Sequence, residues 1–279
     1  MAYDTFIPVS RPGLLTRYHF SELDLLSLRV MLLHTVALVK NGDTEAAANQ
    51  LADLLRFQSL QLITVNEAVS KAVDIAQYKL SLSTAAFLLS KTPPSDISHW
   101  RVAYDALTLF EQDTISVASL YERELAMYAN DFDHVLNHSS GFFITLLRPL
   151  FYKPNKTLNT LYAYVQLVSN QLSIEDGRFV KRDIDSSARE LLGFSLNNYL
   201  GNLLIKHAVP RFINLEEAMH ELNYLERLLQ LSYNAKSTGR PAPLNTVISP
   251  YTGEPAYLTE TQICIAGESA EERDICLYF

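Results

Sequence analysis

Three side chains near the middle of the chain have the spacing of a metal site. Asp131, His134 and His138 stand at positions i, i+3 and i+7, so on a helix they share one face. Two imidazoles and one carboxylate are ligands that zinc and other transition metals accept. This pattern motivates one functional hypothesis, a metal-dependent enzyme (a hydrolase or an oxidoreductase) centred on these three residues.

A second pair, Glu217 and His220, has the Glu-x-x-His spacing that di-iron helical bundles use. The further carboxylates that such a centre needs cannot be identified from spacing. Both motifs also have an ordinary structural interpretation. In the first motif, His134 and His138 lie near the predicted C-terminus of a helix, where cationic side chains suit the helix dipole. We therefore predict no cofactor.

Catalytic motifs of other kinds are missing from the sequence, which has no Gly-x-Ser-x-Gly, no Walker A and no Gly-x-Gly-x-x-Gly pattern. Asp183 and Asp185 form an acid pair, but they open a predicted helix, where acidic residues act as N-terminal caps. We therefore assign no catalytic residues, and a non-enzymatic protein is the leading hypothesis.

Both cysteines lie in the proline-containing C-terminal segment. Cys264 and Cys276 are twelve positions apart, and a bridge between them would close a small loop. In the chain-entropy model such a bridge stabilises the folded state by roughly 3 kcal/mol. A single structural disulfide is typical of an oxidising compartment. The alternative is a pair of buried thiols in a reducing cytosol.

The composition excludes some classes of partner. The formal net charge of -8 and the lack of any Lys/Arg-rich run argue against nucleic acid, whose phosphates reward clustered cations. The longest apolar stretch, residues 25–39, is interrupted by Arg29 and His34. It is too short for a membrane span, so it predicts the buried helix of a soluble protein.

The pattern of caps and apolar periodicity predicts a mainly α fold. It is a multi-helix bundle or an array of helical hairpins with a small irregular C-terminal cap, in which alternation over residues 257–265 indicates a short β-hairpin. Residues 1–239 form the predicted helical body, with a subdivision near 91–95 or 139–155, and residues 240–279 form the cap. The predicted helices begin near residues 21, 44, 65, 95, 114, 155 and 214, and the fourth runs through Trp100 to Phe110.

The chain is rich in aromatic residues that could line a groove for an apolar ligand or a peptide helix. At helical spacing such residues also serve as core, so the groove itself stays unassigned. The candidates are Phe142, Phe143, Phe151, Tyr152, Tyr162, Tyr164 and Tyr199.

Three stretches carry a resemblance: residues 148–162, with a Pro-Asn-x-Thr segment, residues 197–205, and residues 249–258. They resemble uncharacterised bacterial membrane-anchored envelope proteins that have a helical body and a C-terminal Asp-Pro-Phe-Thr-Gly-Lys-Pro-Leu stretch. This chain departs from that stretch at Ser249, Tyr251, Glu254 and Ala256. The resemblance implies a periplasmic protein held at the inner membrane by an anchor that this chain does not contain, and it implies no activity.

Three functional hypotheses follow. The leading one is a non-enzymatic extracytoplasmic helical protein that binds a protein or peptide partner in the bacterial envelope. The second is the metal-dependent enzyme described above. The third is a cytoplasmic helical scaffold or regulator. Free thiols at Cys264 and Cys276 would favour this hypothesis.

Overall fold

A computed structural model describes residues 19–65, 68–110, 120, 152–175, 178–193, 196–208, 213–267 and 274–278. The predicted fold class is confirmed: the protein is mainly helical, with a small antiparallel sheet near its C-terminus. The helices are α1 (His19–Lys40), α2 (Thr44–Thr64), α3 (Ala68–Lys91), α4 (Arg101–Tyr104), α5 (Pro154–Ser169), α6 (Asp185–Leu191), α7 (Tyr199–Ala208) and α8 (Ile213–Thr238).

The strands form two separate antiparallel sheets. The strands β1 (Leu172–Glu175) and β2 (Arg178–Lys181) make a hairpin, and β3 (Tyr257–Leu258), β4 (Gln262–Ile265) and β5 (Ile275–Tyr278) make a sheet in that order. The predicted hairpin over residues 257–265 is present as β3 and β4. The β1–β2 hairpin escaped the sequence interpretation, although Asp176 and Gly177 between the strands are typical hairpin-turn residues.

Local chemistry explains the helix boundaries. The α1–α2 turn contains Gly42 at a φ of +83°, and the Asp43 carboxylate caps α2 by accepting a hydrogen bond from the Ala46 N–H. Pro93 ends the helical pattern after α3 because proline disfavours a helical residue before it. The predicted fourth helix is only partly present, because Pro94–Trp100 is a 3₁₀ helix, α4 ends at Tyr104, and residues 107–110 have no regular secondary structure.

The chain divides into two compact units, and each unit is built from segments that are not consecutive in the sequence. In the first unit, which comprises residues 1–20, 121–167 and 184–210, the described elements include most of α5, with α6 and α7. Buried Asn198 organises this unit: its Oδ1 accepts hydrogen bonds from the Lys153 N–H and the Thr157 hydroxyl, and its Nδ2 donates to Asn202. Two of the stretches that carry the resemblance are therefore bonded to each other, through Thr157 and Asn198.

The second unit comprises residues 21–120, 168–183 and 211–279. Its core is the interface between α3 and α8, against which α2 and the β4 and β5 strands also pack. β4 is the central strand, and its Ile263, Cys264 and Ile265 are buried. The 3₁₀ helix contributes Trp100, which is fully buried and donates its indole N–H to the Thr92 hydroxyl.

The C-terminal cap docks on α8 through a tight turn at residues 249–253. The Gly253 N–H donates to the Ser249 carbonyl, and Gly253 has a φ of +75°, which is a conformation that favours glycine. Tyr251 donates from its hydroxyl to Glu221 on α8 at 3.0 Å. The turn is thus fixed to the helical core of its unit.

Candidate functional site

Of the two metal motifs, only the Glu217 and His220 pair falls on described residues. Asp131, His134 and His138 lie outside the part of the chain that the structure describes. Glu217 pairs with Lys181 of β2 at 3.2 Å, and the buried His220 ring lies 5.3 Å from the ring of Phe179. The described residues contain no group of three or more His, Cys, Asp or Glu side chains that could hold a metal.

The polar face of α8 instead fastens neighbouring elements of its unit. Glu221 accepts hydrogen bonds from Lys79 of α3 and from Tyr251 of the cap. Phe179 packs its ring edge on Tyr251 with centroids 5.0 Å apart, and its N–H donates to the Pro250 carbonyl. These contacts join α3, the β1–β2 hairpin and the cap, so this cluster is a structural junction.

A buried polar cluster lies farther along α8. Glu226 is fully buried and accepts a hydrogen bond from the Tyr78 hydroxyl at 2.5 Å. Burial raises the pKa of Glu226 to about 8, although the Tyr78 hydroxyl and the Thr108 backbone act to lower it. Its carboxyl is therefore mainly protonated at neutral pH, and Oε2 has no hydrogen-bond partner among the residues described.

The same face of α8 contacts the irregular segment that follows α4. The Asn223 side chain accepts from the Phe110 N–H at 2.8 Å and donates to the Phe110 carbonyl at 2.9 Å. The Phe110 ring meets the Tyr78 ring edge-on, with centroids 5.9 Å apart. Asn223, Tyr78 and Glu226 were not singled out in the sequence, because their partners lie more than a hundred positions away.

The aromatic groove candidates divide between core and surface. Tyr152 and Tyr164 are buried, whereas Tyr162 is 56 % exposed and Tyr199 is 42 % exposed. Phe142, Phe143 and Phe151 lie outside the described residues. Among the described candidates, the exposed side chains are therefore two tyrosines, and the predicted groove stays a prediction.

The predicted cysteine pair is at disulfide distance. The two Sγ atoms are 2.07 Å apart, and Cys264 and Cys276 face each other across β4 and β5, with Cα atoms 4.1 Å apart. Cys264 is buried, so the bridge ties β5 to the strand that packs on the helices. This geometry makes the pair a structural crosslink of the cap.

An open cleft of about 360 Å³ lies beside α2 and α4. Its two arginines are paired at the surface: Arg56 with Asp53 at 3.3 Å, and Arg101 with Asp105 at 3.5 Å. Exposed ion pairs of this kind contribute little to stability. They do not indicate a ligand-binding or catalytic role for the cleft.

The exposed side of α1 departs from the sequence prediction. Residues 25–39 were expected to form a buried helix, and Leu28, Leu32 and Thr35 are indeed buried. The opposite side carries Leu26, Val30 and Leu33, which are 58 %, 58 % and 69 % exposed. We call these three residues the α1 face.

The α1 face is an exposed apolar stripe along the helix. The positions i, i+4 and i+7 align along one stripe of about 10 Å, and Arg29 is the only charged residue between positions 25 and 39. Phe57 and Leu60 of α2 are exposed as well, at 43 % and 60 %. Contiguous exposed apolar side chains mark interaction surfaces.

No described helix combines the length and the apolar character that a membrane span requires. Comparison with known protein families, with curated proteins and with solved structures gives no match to this chain.

Proposed function

We propose that this chain is a non-enzymatic, extracytoplasmic helical protein of the bacterial envelope that binds a partner protein through the α1 face. The observation that carries this proposal is the exposure of Leu26, Val30 and Leu33 on a helix whose other side is already buried. A helix that is apolar on both sides is normally covered on both sides.

The chemistry of the α1 face indicates what covers it. Apolar residues spaced at i, i+4 and i+7 form the ridge that packs against another helix. The near absence of charge on this part of α1 disfavours a strongly charged partner surface. The partner that fits is an amphipathic helix with its apolar side turned toward α1.

The compartment is argued from the cysteines. Disulfides persist outside the cytoplasm, and the pair Cys264 and Cys276 crosslinks a sheet whose central strand is buried. A periplasmic location with attachment to the inner membrane also agrees with the resemblance to envelope proteins. No observation on the described residues favours the metal-dependent enzyme.

The proposal is tested with matched charge substitutions on α1. Leu33→Glu places a carboxylate on the α1 face, whereas Ser27→Glu places one at another exposed position of the same helix. Affinity-tagged wild type, L33E and S27E are expressed in the native host, and recovered proteins are quantified by mass spectrometry. A partner recovered with wild type and S27E but reduced at least tenfold with L33E supports the proposal. Equal recovery with all three variants contradicts it.

A further inference from the structure

His34 lies at the border of the α1 face and is held there by α2. It is exposed, it follows Leu33 in the chain, and it continues the i, i+4 row of Leu26 and Val30 along α1. Its ring nitrogen Nδ1 lies 2.8 Å from the Oε1 atom of Gln50, which belongs to α2. The apolar α1 face therefore has a polar ring in a fixed position on one side.

The Gln50 amide determines which ring nitrogen of His34 carries the proton. The Nε2 group of Gln50 donates to the Met31 carbonyl at 3.0 Å. Because a carbonyl can only accept, this orientation places the Oε1 atom of Gln50 against the His34 ring. An amide oxygen also only accepts, so Nδ1 of His34 is the donor. In the neutral ring, Nε2 of His34 is then an acceptor.

The Nε2 atom of His34 has no partner among the residues that the structure describes. Because His34 is exposed, water satisfies this acceptor while the α1 face is uncovered. A helix that packs on the α1 face removes that water. An acceptor that is buried without a donor is unfavourable, so the covering helix must itself supply an O–H or N–H group.

We infer that His34 determines the specificity of the α1 face, and that the partner helix carries a neutral hydrogen-bond donor, a hydroxyl or an amide, opposite its Nε2 atom. Gln50 is the positioning residue that keeps this nitrogen an acceptor. The inference rests on the proposed function, because it names a property of the partner that the α1 face binds. A neutral donor fits better than an ammonium group, since burial of a charge among apolar side chains is more costly.

The proton position is tested first, on the nitrogen-15-labelled full chain without a partner. Long-range proton–nitrogen correlation spectra at pH 8 should show His34 mainly in the Nδ1–H form. Gln50→Leu removes the acceptor and should make Nε2–H the main form, whereas the spectrum of the exposed His99 should be the same in both proteins. A wild-type His34 in the Nε2–H form overturns the inference.

The consequence for binding is tested by crosslinking from a benzophenone amino acid at Leu33 in living host cells. His34→Phe removes the acceptor but keeps a ring, and Gln50→Leu places a proton on Nε2. Each should reduce the yield of the crosslinked partner at least fivefold. Gln50→Glu keeps an acceptor for the Nδ1 proton and should retain most of the yield, and His99→Phe should leave it unchanged.

The outcomes separate this inference from the proposed function. Equal crosslinking yields from wild type and H34F, at equal amounts of folded protein, overturn the inference and leave the proposed function standing. A wild type that gives no crosslinked product contradicts the proposed function, and the inference about its partner fails with it.

Discussion

The hydroxyl of Tyr78 and the carboxyl of Glu226 are joined by a hydrogen bond of 2.5 Å across 148 positions of sequence. Both residues are fully buried, so the bond ties α3 to α8 inside the core of their unit. Burial, reinforced by the nearby carboxyl, raises the pKa of the Tyr78 hydroxyl above its usual value, so tyrosine remains the proton donor. A buried carboxyl in this position makes stability depend on pH.

Glu226 should make the protein less stable as the pH rises. Its folded pKa of about 8 is above the ordinary value of 4.5, so its stabilising contribution is complete below pH 4.5 and is lost as the pH rises through 8. Glu226→Gln should reduce the loss of unfolding free energy between pH 5 and pH 9 by about 1–3 kcal/mol. Urea titrations at both pH values measure this.

Two controls make the Glu226 experiment specific. Burial raises the pKa of Glu216 to about 7. The unfolding free energy of E226Q should therefore still fall as the pH rises, but by less than that of the wild type. The exposed Glu254→Gln should behave as wild type. If the unfolding free energy of E226Q fell between pH 5 and pH 9 as steeply as that of the wild type, Glu226 would not titrate in this range.

His220 should act in the opposite direction, at acid pH. Burial lowers the pKa of His220 from 6.5 to about 4, so its contribution is complete above pH 6.5 and is lost as the pH falls through 4. His220→Phe keeps a ring against Phe179 and removes the titration. Between pH 7 and pH 4 the wild type should lose about 1–3 kcal/mol more than the variant. Denaturant unfolding at each pH tests this, with the exposed His99→Gln expected to follow the wild type.

Removal of the disulfide should destabilise the cap and the helices on which it packs. The bridge joins β5 to the buried strand β4, and a native disulfide of a small domain typically contributes about 2–5 kcal/mol. Cys264→Ala combined with Cys276→Ala should lower the melting temperature under non-reducing conditions, and a reductant should lower it in the wild type alone. A melting temperature that neither treatment changes would make the cap peripheral to stability.

Gly201 should not tolerate a side chain. A Cβ at this position would overlap the Thr157 hydroxyl and the Asn198 amide, which are buried and bonded to each other. Gly201→Ala should therefore cost about 2–4 kcal/mol, although alanine normally favours a helix. At Gly42 a Cβ would meet nothing, so Gly42→Ala should cost about 1 kcal/mol from its positive φ alone. Thermal melts that rank the two variants the other way would contradict this account.

Local signals in the sequence predicted most of the helices and the short C-terminal hairpin. Asp43, Gly42 and Pro93 act within a few residues, and a cap or a break can be identified from such neighbours. The β1–β2 hairpin was missed because two four-residue strands carry little periodicity beside long helices.

Contacts between distant segments could not be predicted from local signals. Residues 107–110 fit a helical pattern, but they have no regular secondary structure, and the Asn223 side chain binds the N–H and the carbonyl of Phe110. Likewise, nothing in the spacing of α1 shows which of its two apolar sides is covered. The Glu217 and His220 pair looked like half of a metal site, and only the tertiary contacts reveal Lys181 and Phe179 as their partners.

The central claim is that a partner helix covers the α1 face, and site-specific photo-crosslinking in living host cells tests it most directly. A photoreactive amino acid at Leu33 should crosslink to one defined protein, whereas the same group at exposed Ser27 should give at least tenfold less of that product. Equal yields at both positions, or no product at Leu33 from a folded and disulfide-bonded protein, would contradict the claim.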